Sequence, residues 1–151
     1  MDISAEVVKE LRERTGVSVM ECKKALVEAG GDMQQALAIL KERSAAMVEK
    51  KQGRELGAGT VAAYVHSTGQ VGAIVLLSSE TDFVSKNEEF VTLARDIAMH
   101  ISAMRPADGA ELIAQPFIKD ESKTVGDLLS AATQKFGERI ELKGFSCWSV
   151  K

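Results

Sequence analysis

The chain is predicted to be α+β, and three observations predict it. Over the first fifty residues, apolar side chains recur at helical spacing between residues that cap helices well. From Thr60 onward the period changes to two, as in half-buried strands. Between the two textures, Lys50-Lys51-Gln52-Gly53-Arg54 leads through Gly57 and Gly59, a basic and glycine-containing stretch that reads as a linker. The expected organisation is a three-helix module over residues 1–52, a linker over 53–59 and an α+β core over 60–151. In that core about three antiparallel strands carry two helices on one face.

In the module, Ser4 caps a first helix with Val7, Val8 and Leu11 on one side, and Thr15-Gly16 ends it. Ser18 and Glu21 form a capping box for a second helix whose apolar positions are Cys22, Ala25, Leu26 and Ala29. Gly30-Gly31 breaks that helix, and Asp32 with Gln35 opens a third carrying Met33, Ala36, Leu37 and Leu40. The module has no net charge, with nine basic and nine acidic residues over 1–52.

In the core, Val61, Ala63 and Val65 alternate with Ala62, Tyr64 and His66 in a first strand. Ser67-Thr68-Gly69-Gln70 reads as a hairpin turn, and Val71 to Leu77 as the second strand. A helix opens near Asn87, with Phe90, Leu93, Ala94, Ile97, Ala98 and Ile101 on one face, and ends before Pro106. Ala107 to Gln115 reads as a short connection. Thr124 and Asp127 can open another helix, with Val125, Leu128, Leu129, Ala132 and Phe136 inward. Alternation resumes at Ile140, and Gly144 marks a bulge before Phe145, Cys147 and Trp148.

Composition narrows the function. The 151 residues are 45% hydrophobic and 27% charged, with net charge −3 and pI about 5.5. Phosphate backbones demand clustered positive charge, so nucleic acid is not the expected partner. No apolar run approaches the roughly 20 residues that span a bilayer. Met1-Asp2-Ile3-Ser4 carries no basic n-region or apolar h-region, and Cys22 and Cys147 form neither a metal motif nor a disulfide framework. These features lead to the expectation of a cytoplasmic protein.

No active site is expected. His66 and His100 are the only histidines, and neither has zinc-type spacing. There is no nucleophile elbow and no phosphate-cradling glycine loop, so neither a metal nor a cofactor is expected. Glu88-Glu89 falls in the first turn of a helix, where negative charge is favourable without any chemistry. What folding explains poorly is Glu80-Thr81-Asp82-Phe83-Val84, a large aromatic beside a carboxylate between a strand and a helix. Phe83 either plugs the edge of the sheet or is presented to a partner's pocket, and the local pattern leaves both open.

Several stretches together resemble bacterial elongation factor Ts, in that family's order and over nearly the whole chain. They are Leu11-Arg12-Glu13-Arg14-Thr15-Gly16, Met20-Glu21-Cys22-Lys23-Lys24-Ala25-Leu26, Tyr64-Val65-His66, Glu80 to Val84, Asn87-Glu88-Glu89-Phe90, Ile97-Ala98-Met99-His100 and Gln115-Pro116-Phe117. The resemblance implies a guanine-nucleotide exchange factor, without an active site of its own, acting on elongation factor Tu. It implies that the helical module is similar to a ubiquitin-associated domain and docks through Arg12, Val19 and Met20. It implies that Thr81, Asp82, Phe83 and Val84 form the loop that opens the nucleotide site, with Asp82 and Phe83 pushing between partner helices near the magnesium. His66 is implied to contact the partner near its phosphate loop, and Phe136 and Gly137 to add a weaker contact.

The sequence departs from the pattern in three places. Ser18-Val19 stands where glycine and methionine are usual, Val48-Glu49 where alanine and lysine are favoured, and the connection from Pro106 to Gln115 is short. Longer members carry a helical insertion or a second copy of the core there, so a homodimer of cores is a candidate assembly. The alternative function is an adaptor whose helical module binds a ubiquitin-like or nascent-chain partner. That reading leaves the Asp82-Phe83 loop and His66 without a role.

Overall fold

The structure is a computed structural model and describes residues 2–151. The chain forms two compact units. One runs up to Gly53 and includes Ser130–Gly137; the other comprises Arg54–Leu129 and Glu138–Lys151.

The first unit is built on α1 (Ala5–Thr15), α2 (Val19–Glu28) and α3 (Met33–Lys51). Each helix starts at a side chain that accepts from a helix N–H left without an intrahelical partner. Ser4 Oγ accepts from Val7 at 3.3 Å, Ser18 Oγ from Glu21 at 3.3 Å and Asp32 Oδ1 from Gln35 at 3.1 Å. Leu11, Leu26 and Leu40, one from each helix, meet in a core shared with Val17 and Cys22. Arg43 of α3 reaches two carboxylates of α2, Glu28 in close contact and Glu21 at 3.6 Å.

The second unit holds a three-stranded antiparallel sheet in the order β1-β2-β5, with β1 Ala58–Val65, β2 Val71–Ser79 and β5 Glu141–Ser149. The turn between β1 and β2 closes with Gly69 N–H on the His66 carbonyl at 2.7 Å, and Gly69 takes φ +72°, a conformation that β-branched residues avoid. β1 starts two residues before the expected Thr60. Gly59 belongs to the strand because the backbones approach closely there: a Cβ would lie 2.9 Å from the Leu77 carbonyl oxygen. The expected bulge on β5 is present. Leu76 faces Gly144 while Leu77 faces Leu142, so Lys143 is the unpaired residue.

α5 (Glu88–Met104) covers one face of this sheet. Its stripe of Phe90, Ala94, Ile97, Ala98 and Ile101 is buried against Ala62, Ala73, Val75 and Leu77. Asn87 caps it, accepting from Glu89 N–H at 2.8 Å. α4 (Asp82–Ser85) is a single helical turn between β2 and α5. On the opposite face of the sheet Val61, Val65, Ile74, Leu76 and Trp148 are exposed.

Two elements differ from the sequence reading. The expected connection after Pro106 contains a helix, α6 (Gly109–Ala114), capped by Asp108 and anchored by the buried Leu112. It is followed by a small hairpin of β3 (Pro116–Phe117) and β4 (Asp120–Thr124). Both are too short for periodicity to reveal. α7 (Val125–Phe136) opens on a reciprocal box in which Thr124 and Asp127 each accept from the other's N–H at 3.0 Å.

His100 fastens the hairpin to α5. Its ring is fully buried and stacks on Phe117 with centroids 5.9 Å apart. Nδ1 accepts from Ile118 N–H at 3.2 Å, which leaves the proton on Nε2 to be donated to Gln115 Oε1 at 2.9 Å. The histidine is a packed structural group.

Two predictions follow from this packing. His100→Leu orphans the Ile118 N–H and the Gln115 carbonyl and is expected to cost about 2–4 kcal/mol in urea unfolding. A change within the ~0.5 kcal/mol typical of surface substitutions would contradict the fastening role. The Cys22 thiol is buried, and burial raises its pKa against the opposing effects of the Thr15 hydrogen bond and Arg12. In the native protein iodoacetamide should therefore modify the half-buried Cys147 well before Cys22, with both reacting in denaturant. Peptide mass spectrometry reads the order; equal native rates would refute it.

Candidate protein-interaction site

The β2-to-α5 connection turns a strand end into a short platform. Along one helical turn, residues 84 and 85 face inward, where Val84 and Ser85 are buried. Residues 82 and 83 then face outward, and Phe83 is 92% exposed. Of the two readings open from sequence, the plug is excluded: Phe83 touches water, and Val84 does the anchoring.

A four-residue helix is far below the length at which helices hold themselves together. This one is tied at both ends. At its C-terminal end, the Thr60 hydroxyl of β1 donates to the Ser85 carbonyl at 2.6 Å. At its N-terminal end, Ser79 Oγ donates to the Thr81 carbonyl at 3.0 Å. There too, Glu138 Oε1 accepts from the N–H groups of Glu80 and Thr81 at 3.1 and 3.0 Å, and Oε2 from the Thr81 hydroxyl at 2.6 Å. The bracket is reciprocal: Glu80 Oε2 accepts from Arg139 N–H, and Glu80 Oε1 lies 3.6 Å from Arg54. The Arg139 guanidinium closes it, donating to the Arg54 carbonyl at 2.8 Å and to Glu141.

Thr81, Asp82, Phe83 and Val84 thus form one feature, with Asp82 and Phe83 as its exposed tip. His66 is not part of it. It lies at the other end of the β1–β2 hairpin, about 25 Å away at the usual strand rise. There it is exposed, with Nδ1 3.3 Å from the Tyr64 hydroxyl.

In the helical unit, Arg12 is exposed on α1, and Val19 and Met20 project from the first turn of α2 at 51% and 66% exposure. Phe136 is half-buried at the end of α7 beneath the Lys135 ammonium, 5.8 Å from the ring centroid. Burial, and then the Arg12 charge, hold Lys135 below the usual lysine range. Gly137 is exposed and closes α7 with its N–H on the Thr133 carbonyl at 2.9 Å. Among the described residues, no group of three His, Cys, Asp or Glu side chains could hold a metal, and no helix is long and apolar enough to cross a membrane.

Sequence reasoning missed Glu138 and Arg139 as supports of the turn. Their partners lie 57 to 59 residues away, and nothing local to either segment marks the pairing.

A model of the family described as Elongation factor TS matches residues 1–107 and also residues 80–151, so that 80–107 is matched twice. The elongation factor Ts of Acetivibrio thermocellus is 40% identical over 188 aligned positions, covering 95% of this chain and 87% of that protein. That of Leptospira biflexa serovar Patoc is 40% identical over 195 positions, covering 99% and 98%. The Trichlorobacter lovleyi protein is 43% identical over 150 positions, with 99% of this chain but 48% of that protein covered. Matches of this extent mean that the chain belongs to the elongation factor Ts family, a family of translation elongation factors.

Proposed function

We propose that the chain is a guanine-nucleotide exchange factor for elongation factor Tu and that the Asp82-Phe83 turn is the part that releases GDP. The observation that carries this reading is a phenylalanine held in water on a turn tied at both ends. A GTPase of the P-loop class holds its nucleotide through backbone N–H groups, a lysine and magnesium. An exchange factor needs no bond chemistry. It binds the empty partner more tightly than the loaded one, and linkage makes the nucleotide weaken the factor by the same coupling free energy. Phe83 supplies apolar area that gains burial only when partner helices separate, and Asp82 brings a negative charge toward the phosphates and magnesium. His66 gives a second point of contact at the far end of the hairpin. Arg12, Val19 and Met20 offer an apolar and cationic docking patch on the helical unit, and Phe136 with Gly137 a smaller one.

Phe83→Ala is expected to slow catalysed release of a fluorescent GDP analogue at least about tenfold, the equivalent of roughly 1.4 kcal/mol, with the fold intact by circular dichroism. Release at the wild-type rate would remove the wedge. An adaptor of the helical module would instead bind its partner without regard to added GDP and magnesium.

A second copy of this chain is proposed to cover the open face of the sheet. In the strand register Val65, Gly72 and Trp148 lie side by side, as do Val61, Leu76 and Gly144, so bulky side chains flank glycine gaps on one flat surface. Such a patch is suited to a two-fold contact with itself. The family model matches this chain over two ranges that overlap at residues 80–107, and a second copy of the core is the occupant that this overlap favours. Cys147 takes no part, because its Sγ points to the other face, 3.8 Å from the Ile101 carbonyl. Sedimentation at high micromolar concentration should give a dimer that Trp148→Asp converts to a monomer. A wild-type monomer would end the proposal.

A further inference from the structure

The geometry points to Glu138 as a positioning residue for exchange: its carboxylate, reaching across from the bend that leads into the last strand, fixes the direction in which Phe83 is presented. The inference rests on the exchange-factor reading and deepens it. Thr81 stands at the N-cap of α4, yet its hydroxyl makes no capping bond within the turn. The hydroxyl is given to Glu138 instead, together with the N–H groups of both Glu80 and Thr81. One side chain therefore satisfies three donors on the two residues that precede Asp82. The opposite end of α4 is held independently, by Thr60 on the Ser85 carbonyl and by the burial of Val84 and Ser85.

Loss of Glu138 thus leaves the N-terminal end of the turn with one side-chain tie, Ser79 Oγ on the Thr81 carbonyl, while its C-terminal end stays held, and the turn gains freedom to pivot about that end. Phe83, 92% exposed, buries too little surface to resist that pivot. Displacement of a positioning element by about an ångström is enough to cost large factors in rate. Glu138 itself need never touch the partner. Its neighbour Arg139 makes the return bond, its N–H donating to Glu80 Oε2, which keeps the carboxylate and the strand end in register.

The test compares Glu138→Ala and Glu138→Gln in the wild-type and Phe83→Ala backgrounds, with GDP release from elongation factor Tu measured as a function of factor concentration. Glu138→Ala is expected to lower the maximal rate about fivefold or more while the half-saturating concentration moves less than about twofold. Glu138→Gln, which keeps an acceptor for both N–H groups and a donor for the Thr81 oxygen, should restore most of the rate. In the Phe83→Ala background, Glu138→Ala should cost nothing further, because it acts only through that ring. Thr81→Val, which removes a single arm of the bracket, carries the same test at lower risk to the fold.

Amide hydrogen exchange at Thr81 in the factor alone should accelerate in Glu138→Ala. Wild-type exchange rates in the alanine variant, or an equal loss in both backgrounds, would overturn the assignment. Should the wild-type chain fail to release GDP at all, the exchange reading falls. The amide then decides the positioning claim alone: unchanged protection of Thr81 refutes it, and lost protection upholds Glu138 as what holds the turn.

Discussion

A phenylalanine kept in water is the constraint around which the second unit is arranged. Burying such a side chain is worth about 2 kcal/mol or more, so a flexible connection of this composition would fold the ring onto the nearest apolar surface. The ring stays out because the turn that bears it has no freedom to bring it in. Val84 and Ser85 occupy the inward positions, Thr60 holds one end, and Ser79 with Glu138 holds the other. The carboxylate bracket in turn requires the last strand to lie beside β2, which makes the β2–β5 pairing part of the support of the tip.

Much of this was legible in the sequence where the signal is local. Ser4, Ser18, Asp32 and Asn87 cap the helices they were expected to cap, because one side-chain oxygen two or three residues before a free N–H is a strong local cue. The change of period at the hairpin, the α5 stripe and the Gly144 bulge were readable for the same reason. The four-residue turn at Asp82 was not, since no period fits in one turn. Nor was α6, whose only buried large side chain is Leu112. The tip of the candidate site was found from the oddness of Asp82-Phe83 and from family likeness. Its supports were not found, because Glu138 and Thr81 are joined only by the fold.

The sheet shows how a small core divides its surfaces among tasks. Its covered face is packed by α5, and the buried His100 of that helix uses both ring nitrogens, on Gln115 at the end of α6 and on Ile118 in the hairpin. Its bare face leaves Val65, Ile74 and Trp148 exposed beside glycine gaps, the state of a surface that lacks its second layer. Within the second unit, α4 and α5 pack on the other side, and α6 is anchored by its own Leu112. The second copy proposed to cover this face would complete the layer and leave both ends of the hairpin, with Phe83 at one and His66 at the other, open to a different partner.

Rigid presentation also decides how the proposed wedge can be effective with so small a tip. Ordering backbone on binding costs about 1–2 kcal/mol per residue. A disordered Thr81-to-Ser85 segment would therefore lose, on docking, more than a single aromatic anchor returns. With the turn already formed, that cost has been met during folding by hydrogen bonds to Thr60, Ser79 and Glu138. The contact energy of Phe83 is then free to be set against the nucleotide's own hold on the partner. On this argument the strength of the proposed wedge lies less in the area of its tip than in the stiffness behind it, to which Thr60, Ser79 and Glu138 contribute without touching the partner.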